Sequence, residues 1–225
     1  DQDISKLTFK TGDEYMSHTE SYTDRSLMFM DQLGFVYNLD ATKISVSRGS
    51  GDPLSKFFLI QDGINLIGMN MLDQQSSVLS MTANGYGLIS LYDDMIVKNK
   101  KGKTLLKTKE SYACSSITVD LDKDTHYLLI TSDGYMLISD LSVVPILPRG
   151  RGIKLINIPK TSNEYILYAA IINQGQSLSF SYESKRKKIL EYDDLKPFIM
   201  EKSRRGKKID KKFLLENVKT TYNIE

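Results

Sequence analysis

Lysine and arginine cluster around a glycine in three short segments, and these clusters are the residues whose types and spacing favour a definite chemistry. The cations are Lys98, Lys100, Lys101 and Lys103 around Gly102, then Arg149, Arg151 and Lys154 around Gly152, then Arg204, Arg205, Lys207 and Lys208 around Gly206. A further run is Lys185, Arg186, Lys187 and Lys188, and Arg48 stands alone near Gly51. Such cations neutralise phosphates and release counterions, while glycine lets the backbone approach a phosphate closely. The expected chemistry is therefore binding of a phosphate polyanion, with strong salt dependence and little sequence preference.

Residues that could catalyse a reaction or hold a metal are sparse. Cys114 is the single cysteine, and His18 and His126 have no cysteine near them at the spacing of a zinc site. The acidic pairs Asp93-Asp94 and Asp193-Asp194 are expected to cap turns, because adjacent strand residues point to opposite faces. Neither a nucleotide-binding loop nor a Ser/His/Asp set is visible. The sequence thus predicts a non-catalytic domain without a metal, cofactor or small-molecule substrate.

Charge is distributed unevenly along the chain of 225 residues. The net charge is only +2, but residues 1–97 carry 6 Lys and Arg against 13 Asp and Glu, and the remainder carries 24 against 15. This asymmetry predicts a localised basic surface. Hydrophobic residues make up 40% of the chain, enough for a packed core. No apolar run approaches the ~18 residues of a membrane span, and no secretory signal is visible, so we expect a cytoplasmic protein without a membrane partner.

Two series of glycines recur with nearly the same spacing. The turn glycines are Gly34, Gly85 and Gly134, which are 51 and 49 residues apart. The loop glycines are Gly51, Gly102, Gly152 and Gly206, which are 51, 50 and 54 residues apart. Each turn glycine lies between two apolar segments, and each loop glycine follows an acidic turn. The period predicts four copies of one structural unit of ~50 residues.

Each copy is expected to form short antiparallel strands. Residues 27–30 and 128–130 are continuous apolar runs, as expected for strands covered on both faces. Asn84-Gly85 and Asp133-Gly134 are typical of two-residue hairpin turns, which need positive φ at both central residues. The best helix candidate is the short segment 193–200, which a proline interrupts.

A unit of about four strands that recurs every ~50 residues predicts an all-β, propeller-like ring, because one blade cannot bury both its faces alone. We expect a single domain over 1–225 with about five blades. These are a partial blade at 1–25, whose start is missing, and four clear copies at 26–75, 76–125, 126–175 and 176–225. The sequence leaves open whether the ring is closed, open or broken. At equivalent positions of successive blades, the basic loops would fall along one rim.

Several of these segments resemble a known family. YGLISLYDDMIVKNKKGK (86–103), PRGRGIKLINIP (148–159) and EKSRRGKKI (201–209) are similar to the C-terminal domain of the A subunit of bacterial DNA topoisomerase IV, within the gyrase A C-terminal domain superfamily. FKTGDEY (9–15) and SRGSGDPL (47–54) match earlier parts of that domain in the same order. The resemblance therefore covers nearly the whole chain.

This resemblance implies a β-pinwheel, in which adjacent blades exchange strands and double-stranded DNA bends along the outer edge. It implies a DNA-binding domain of a type IIA topoisomerase that captures a DNA segment and sets preferences in supercoil relaxation and decatenation. The catalytic tyrosine, ATP and Mg²⁺ would belong to other parts of the parent enzyme. The implied partners are DNA, the remainder of the topoisomerase IV A subunit and, through it, the B subunit, in a bacterial, nucleoid-associated protein.

Two alternatives stay open. The C-terminal domain of the gyrase A subunit, which wraps DNA, carries a QRRGGKG-type box, and the nearest match here is SRRGKK at 203–208 in the last copy. The second alternative is a propeller-like protein-interaction module, in which the basic loops serve solubility or an acidic partner. Salt-dependent duplex binding separates it from the DNA-binding interpretation. The basic loops contain few aromatic residues, which disfavours a platform for single-stranded nucleic acid.

Overall fold

The computed structural model describes residues 24–44, 51–181, 187–209 and 221–224, together with 11, 18, 19 and 22. The described strands are β1 (Ser26–Asp31), β2 (Phe35–Asp40), β3 (Leu66–Leu72), β4 (Ser77–Thr82), β5 (Tyr86–Leu91), β6 (Lys103–Thr104), β7 (Ala113–Val119), β8 (His126–Thr131), β9 (Tyr135–Asp140), β10 (Ile153–Lys154), β11 (Ile166–Ile172), β12 (Leu178–Ser181), β13 (Lys187–Leu190), β14 (Lys207–Lys208) and β15 (Thr221–Ile224). The α-helices are the single turns α1 (Tyr92–Met95) and α2 (Tyr192–Leu195). Most of the partial blade predicted at 1–25 lies outside the described residues.

The strands form four antiparallel sheets that follow one another along the chain. Their strand orders are β3-β1-β2-β6, β10-β5-β4-β7, β11-β8-β9-β14 and β13-β12-β15. In every sheet a hairpin is followed by a third strand that pairs with the first strand of that hairpin. In the first sheet, for example, Phe29 of β1 lies opposite both Tyr37 of β2 and Met69 of β3. One copy of the sequence repeat therefore supplies the three longer strands of one sheet.

The outermost strand of three sheets comes from the following repeat. The two-residue strand β6 pairs with β2, β10 pairs with β5, and β14 pairs with β9. Each of these short strands lies in one of the basic segments. Adjacent repeats thus exchange a strand, as a β-pinwheel requires, and the prediction of an all-β, propeller-like pinwheel is confirmed.

The hairpin turns of the first three sheets contain three residues, so the predicted two-residue turns at Asn84-Gly85 and Asp133-Gly134 are wrong. The N–H of Gly85 donates to Thr82 O at 2.9 Å, and in each dipeptide only the glycine has positive φ, 89° for Gly85 and 80° for Gly134. This is the three-residue loop that ends in a left-handed glycine. A side chain stabilises the wider loop, since the Thr82 hydroxyl accepts the N–H of Tyr86 at 3.2 Å.

The central strands are buried on both faces, because each sheet packs against its neighbours. All six residues of β4 are buried. Val78 joins a core cluster with Met28 of the first sheet, whereas the adjacent Leu79 joins a cluster with Tyr127 of the third. A further cluster joins the third sheet to Phe180 of the fourth. Within the described ranges no core cluster joins the fourth sheet to the first, which agrees with an open ring.

The acidic pairs lie at the start of the two single-turn helices. Asp93 and Asp94 are in the first turn of α1, and in α2 the carboxylate of Asp194 accepts the N–H of Glu191 at 3.2 Å. Carboxylates there stabilise the free N–H groups of the helix start. The helix expected over 193–200 is therefore only a turn of α-helix followed by a 3-10 turn at Lys196–Phe198. Within the described part of the chain, no helix has the length and apolarity of a membrane span.

Candidate nucleic-acid interface

Three basic loops, defined as residues 98–104, 149–154 and 203–208, dock through a glycine on the sheet of the preceding repeat. Gly102, Gly152 and Gly206 have φ of 69°, 74° and 84°. A Cβ would lie 2.8 Å from Val36 O at Gly102 and 2.6 Å from Met136 O at Gly206, and at Gly152 it would overlap the Gly87 carbonyl. Positive φ and close backbone approach both favour glycine at these positions.

An apolar anchor follows each docked glycine. Leu105 and Leu155 are fully buried and Ile209 is 4% exposed. Their N–H groups donate to the carbonyl oxygens of the turn glycines Gly34, Gly85 and Gly134 at 2.9, 2.7 and 2.9 Å. The residue three positions after each docked glycine is thus bonded to a turn glycine, which fixes these three basic loops relative to a hairpin.

Each basic loop is also hydrogen-bonded to the preceding repeat. In each loop the carbonyl two residues before the glycine accepts an N–H from the preceding repeat. The pairs are Leu59 N–H to Lys100 O at 2.8 Å, Lys107 N–H to Gly150 O at 2.7 Å and Asn157 N–H to Arg204 O at 2.8 Å. Lys107 and Asn157 lie three residues beyond the ends of the first and second loops, so two of these bonds link the segment after one basic loop to the next basic loop.

Two arginines at equivalent positions stack on tyrosine rings. The guanidinium carbon of Arg151 lies 3.6 Å from the centre of the Tyr86 ring, and that of Arg205 lies 3.9 Å from the centre of the Tyr135 ring. The ammonium groups of the following lysines lie 5.9 Å from Tyr86 and 5.4 Å from Tyr135. Such stacks hold a cation in one orientation on the surface.

The other predicted cations differ in exposure and in partners. Lys98, Lys101, Arg149, Lys207 and Lys208 are exposed, and Lys103 is half-buried. Lys100 Nζ donates to Lys56 O at 3.0 Å, and Lys154 Nζ donates to Asn157 Oδ1 at 3.0 Å. Arg204 pairs with Glu201 at 3.3 Å, and Arg205 pairs with Glu164 at 2.5 Å. The loops therefore contain both exposed charges and charges that already have a protein partner.

Only part of the fourth basic run lies within the described residues. Lys187 and Lys188 begin β13 of the fourth sheet, and Lys188 is exposed. Arg48, Lys185 and Arg186 lie outside the described residues, so their part in DNA binding stays a prediction.

Sequence reasoning missed three features of this surface. Lys107 is exposed, and its N–H donates to Gly150 O in the second loop. It lies five residues after the loop glycine Gly102, and this fixed spacing within the repeat could have identified it. An aromatic residue follows each turn glycine, at Phe35, Tyr86 and Tyr135, which is the signal for the stacking rings. Glu164 gave no signal, because its contact with Arg205 crosses between repeats.

The cysteine and one histidine are further reactive groups among the described residues. Cys114 lies in β7, where burial raises the pKa of its thiol to about 12. His126 Nδ1 lies 2.9 Å from the Thr125 hydroxyl. Among the described residues, no three His, Cys, Asp or Glu side chains are placed to hold a metal ion.

Four antiparallel sheets that exchange strands, with a glycine-centred basic loop at each described exchange, define a β-pinwheel, and the chain is similar to the gyrase A C-terminal domain. The family model described as DNA gyrase C-terminal domain, beta-propeller, matches residues 125–173. The curated proteins that are similar to the chain include A subunits of DNA topoisomerase 4. The chain is 31% identical over 210 residues to the DNA topoisomerase 4 A subunit of Haemophilus influenzae, and the match covers 92% of this chain and 28% of that protein.

Solved structures agree with this relationship. The C-terminal domain of Escherichia coli ParC superposes with a TM-score of 0.82 at 25% identity, covering 99% of this chain and 90% of that one. The DNA gyrase A C-terminal domain superposes with a TM-score of 0.77 over 100% of this chain and 75% of that one, and its 14% identity shows a shared fold alone. The chain spans 28% of the length of the curated relatives it matches in Haemophilus influenzae and Salmonella typhimurium.

Proposed function

We propose that this chain is a non-catalytic domain that binds and bends duplex DNA within a type IIA topoisomerase, as part of the A subunit of topoisomerase IV. One observation carries the proposal: equivalent backbone hydrogen bonds link the segment after one basic loop to the next basic loop, which supports a basic surface shared by three repeats. The relationship to A subunits of DNA topoisomerase 4 supports the same function.

The chemistry of this surface suits a DNA backbone. Lys101, Arg149 and Lys207 are exposed cations, one from each loop. Cations that neutralise successive phosphates release counterions, which gives sequence-independent affinity that falls steeply with salt. Bending a 20–30 base-pair duplex costs roughly 1–6 kcal/mol, so several loops must contact it together. The three basic loops dock on three successive sheets, so one duplex that follows them would contact several loops at once.

In the parent enzyme, capture of a DNA segment on this basic rim would set the preference among substrates in supercoil relaxation and decatenation. The remainder of the A subunit and, through it, the B subunit would be the protein partners. The catalytic tyrosine, ATP and Mg²⁺ would act in those other parts, in the bacterial cytoplasm at the nucleoid. DNA wrapping as in the gyrase A subunit is the related alternative, and the length dependence of binding distinguishes the two.

The test is duplex affinity measured by fluorescence anisotropy against salt, on linear fragments of increasing length. One variant replaces Lys101, Arg149 and Lys207 with glutamine. The matched control replaces Lys43, Lys123 and Lys196 with glutamine, which removes the same charge from three exposed lysines outside the basic loops.

For the unaltered chain we expect steep salt dependence and an affinity that rises until the fragment spans several blades. Continued tightening on longer fragments would favour wrapping. The loop variant should lower the slope of log K against log salt by about 3 in magnitude, or about one per lost phosphate contact, whereas the control should change it by less than about one. Weak binding without a salt response, or equal effects of the two triple variants, would refute the proposal and favour a protein-interaction module.

A further inference from the structure

Arg151 and Arg205 occupy the same position in two successive repeats. Each precedes a loop glycine, and each stacks on the first tyrosine of the hairpin strand that the loop pairs with. The pairing register is also the same, since Lys154 lies opposite Tyr86 and Lys208 lies opposite Tyr135. The sequence alone therefore gives these two arginines the same role.

Their surroundings differ in one charge. Arg205 Nη1 lies 2.5 Å from a carboxylate oxygen of Glu164, whose side chain is fully buried, and it also donates to Asn157 O at 3.2 Å. Arg151 forms no ion pair within the described ranges, and its buried Nε has no acceptor there.

The sequence repeat explains this difference. Glu164 precedes Tyr165, whose carbonyl accepts the N–H of Ser132 in a hairpin turn. Ser111 precedes Tyr112, whose carbonyl accepts the N–H of Ala83 in the equivalent turn. Serine thus stands in the second repeat where glutamate stands in the third, and the Ser111 hydroxyl accepts the N–H of Asn84 instead of contacting an arginine.

A buried carboxylate and a half-buried guanidinium 2.5 Å apart neutralise each other, and separating them would leave Glu164 charged and unpaired. The charge of Arg151 has no such compensation, although the ring of Tyr86 fixes its guanidinium. A cation held in one orientation loses little conformational entropy when it binds an anion. The two equivalent arginines are therefore suited to different tasks.

We propose that Arg151 contacts a DNA phosphate, whereas Arg205 does not and instead, with Glu164, fixes the third basic loop against its neighbour. Glu164 is a positioning residue for that loop. The assignment rests on the proposed function, because it divides the tasks of two cations within the same DNA-binding surface.

The test uses the 225-residue chain with R151Q, R205Q and the double variant R205Q/E164Q. For R151Q we expect the salt slope of duplex binding to fall by about one, with a melting temperature within about 2 °C of the unaltered chain. For R205Q we expect a smaller change of the salt slope than for R151Q, because no phosphate contact of its own is lost. Its melting temperature should be lower by at least about 6 °C, because a buried carboxylate is left unpaired. Adding E164Q removes that carboxylate and should recover at least half of the lost melting temperature.

Equal losses of salt slope in R151Q and R205Q would overturn the division of tasks. So would a double variant that melts no higher than R205Q. If the unaltered chain shows no salt-dependent binding, the proposed function fails, and the melting temperatures still measure the coupling between Arg205 and Glu164 independently.

Discussion

Replacing Gly152 with alanine tests whether docking of a basic loop depends on close backbone contact. Its φ of 74° is unfavourable for a residue with a Cβ, at a cost of roughly 1–2 kcal/mol. An added Cβ would also overlap the carbonyl of Gly87, and only movement of the second basic loop away from β5 relieves that contact.

That movement has a calculable cost. It breaks the bond from Leu155 N–H to Gly85 O, now 2.7 Å long, and partly exposes the buried Leu155 side chain. A hydrogen bond contributes about 1 kcal/mol and full burial of a leucine about 1.5–3 kcal/mol. With the backbone strain included, we expect Gly152→Ala to lower the free energy of unfolding by roughly 3–5 kcal/mol.

Gly175→Ala is the matched control, because Gly175 has a φ of 86° but a Cβ there would meet nothing within 4 Å. It should lose only the strain of roughly 1–2 kcal/mol. Urea denaturation followed by circular dichroism measures both values, and duplex affinity should fall only in Gly152→Ala, since Arg151 moves with the loop. Equal destabilisation of the two variants would show that the close approach to Gly87 is not the reason for glycine at position 152.

Three further predictions concern groups other than the cations and glycines of the basic loops. Tyr37→Phe removes the hydroxyl that donates to the buried carboxylate of Asp31 at 2.9 Å; burial and this contact raise the pKa of Tyr37. Urea denaturation should show that the free energy of unfolding falls by roughly 1–3 kcal/mol. An unchanged denaturation midpoint would contradict this prediction. Burial raises the pKa of Cys114 to about 12, so iodoacetamide at pH 8 should alkylate the native thiol at least about tenfold more slowly than the urea-unfolded one, as followed by mass spectrometry. Hydrogen bonds from Ser142 hold the pKa of Asp140 below its usual value, and those from Ser76 do the same for Asp73. Since their folded pKa values lie below the unfolded ones, the stabilisation is present above the unfolded pKa of about 4 and is lost as the pH falls through the folded values. The melting temperature should therefore fall on acidification below about pH 4, and less steeply in Asp140→Asn, whereas identical pH profiles would exclude this contribution.

The repeat made much of the fold predictable. The spacing of Gly34, Gly85 and Gly134 located the hairpins, and the apolar run at 128–130 indicated a strand covered on both faces, which the structure confirms. The turn type was not predictable from Asn84-Gly85, because the Thr82 side chain stabilises a three-residue loop through a contact that no dipeptide pattern encodes. A turn dipeptide therefore predicts the turn type only where no nearby side chain, such as that of Thr82, stabilises a different loop.

Strand exchange was accessible only through family resemblance. The two-residue strand β10 has no periodic pattern, and its partner β5 lies more than 60 residues earlier in the chain. The candidate interface shows the same division. Composition located the basic loops, but the separate roles inferred for Arg151 and Arg205 depend on Glu164, which approaches Arg205 from a different repeat. Contacts between repeats distinguish residues that the period makes equivalent.

The exchange of short strands has a consequence for how such a ring changes in size. Removing the segment from one loop glycine to the next leaves every remaining strand with a partner of the same kind, whereas removing all the strands of one sheet would not. Deleting 102–151 would place β10 against β2, β11 against β4 and β14 against β5, so three complete sheets would remain in the same order. The number of sheets, and with it the length of the basic surface, is therefore a property that one in-frame deletion or duplication can change.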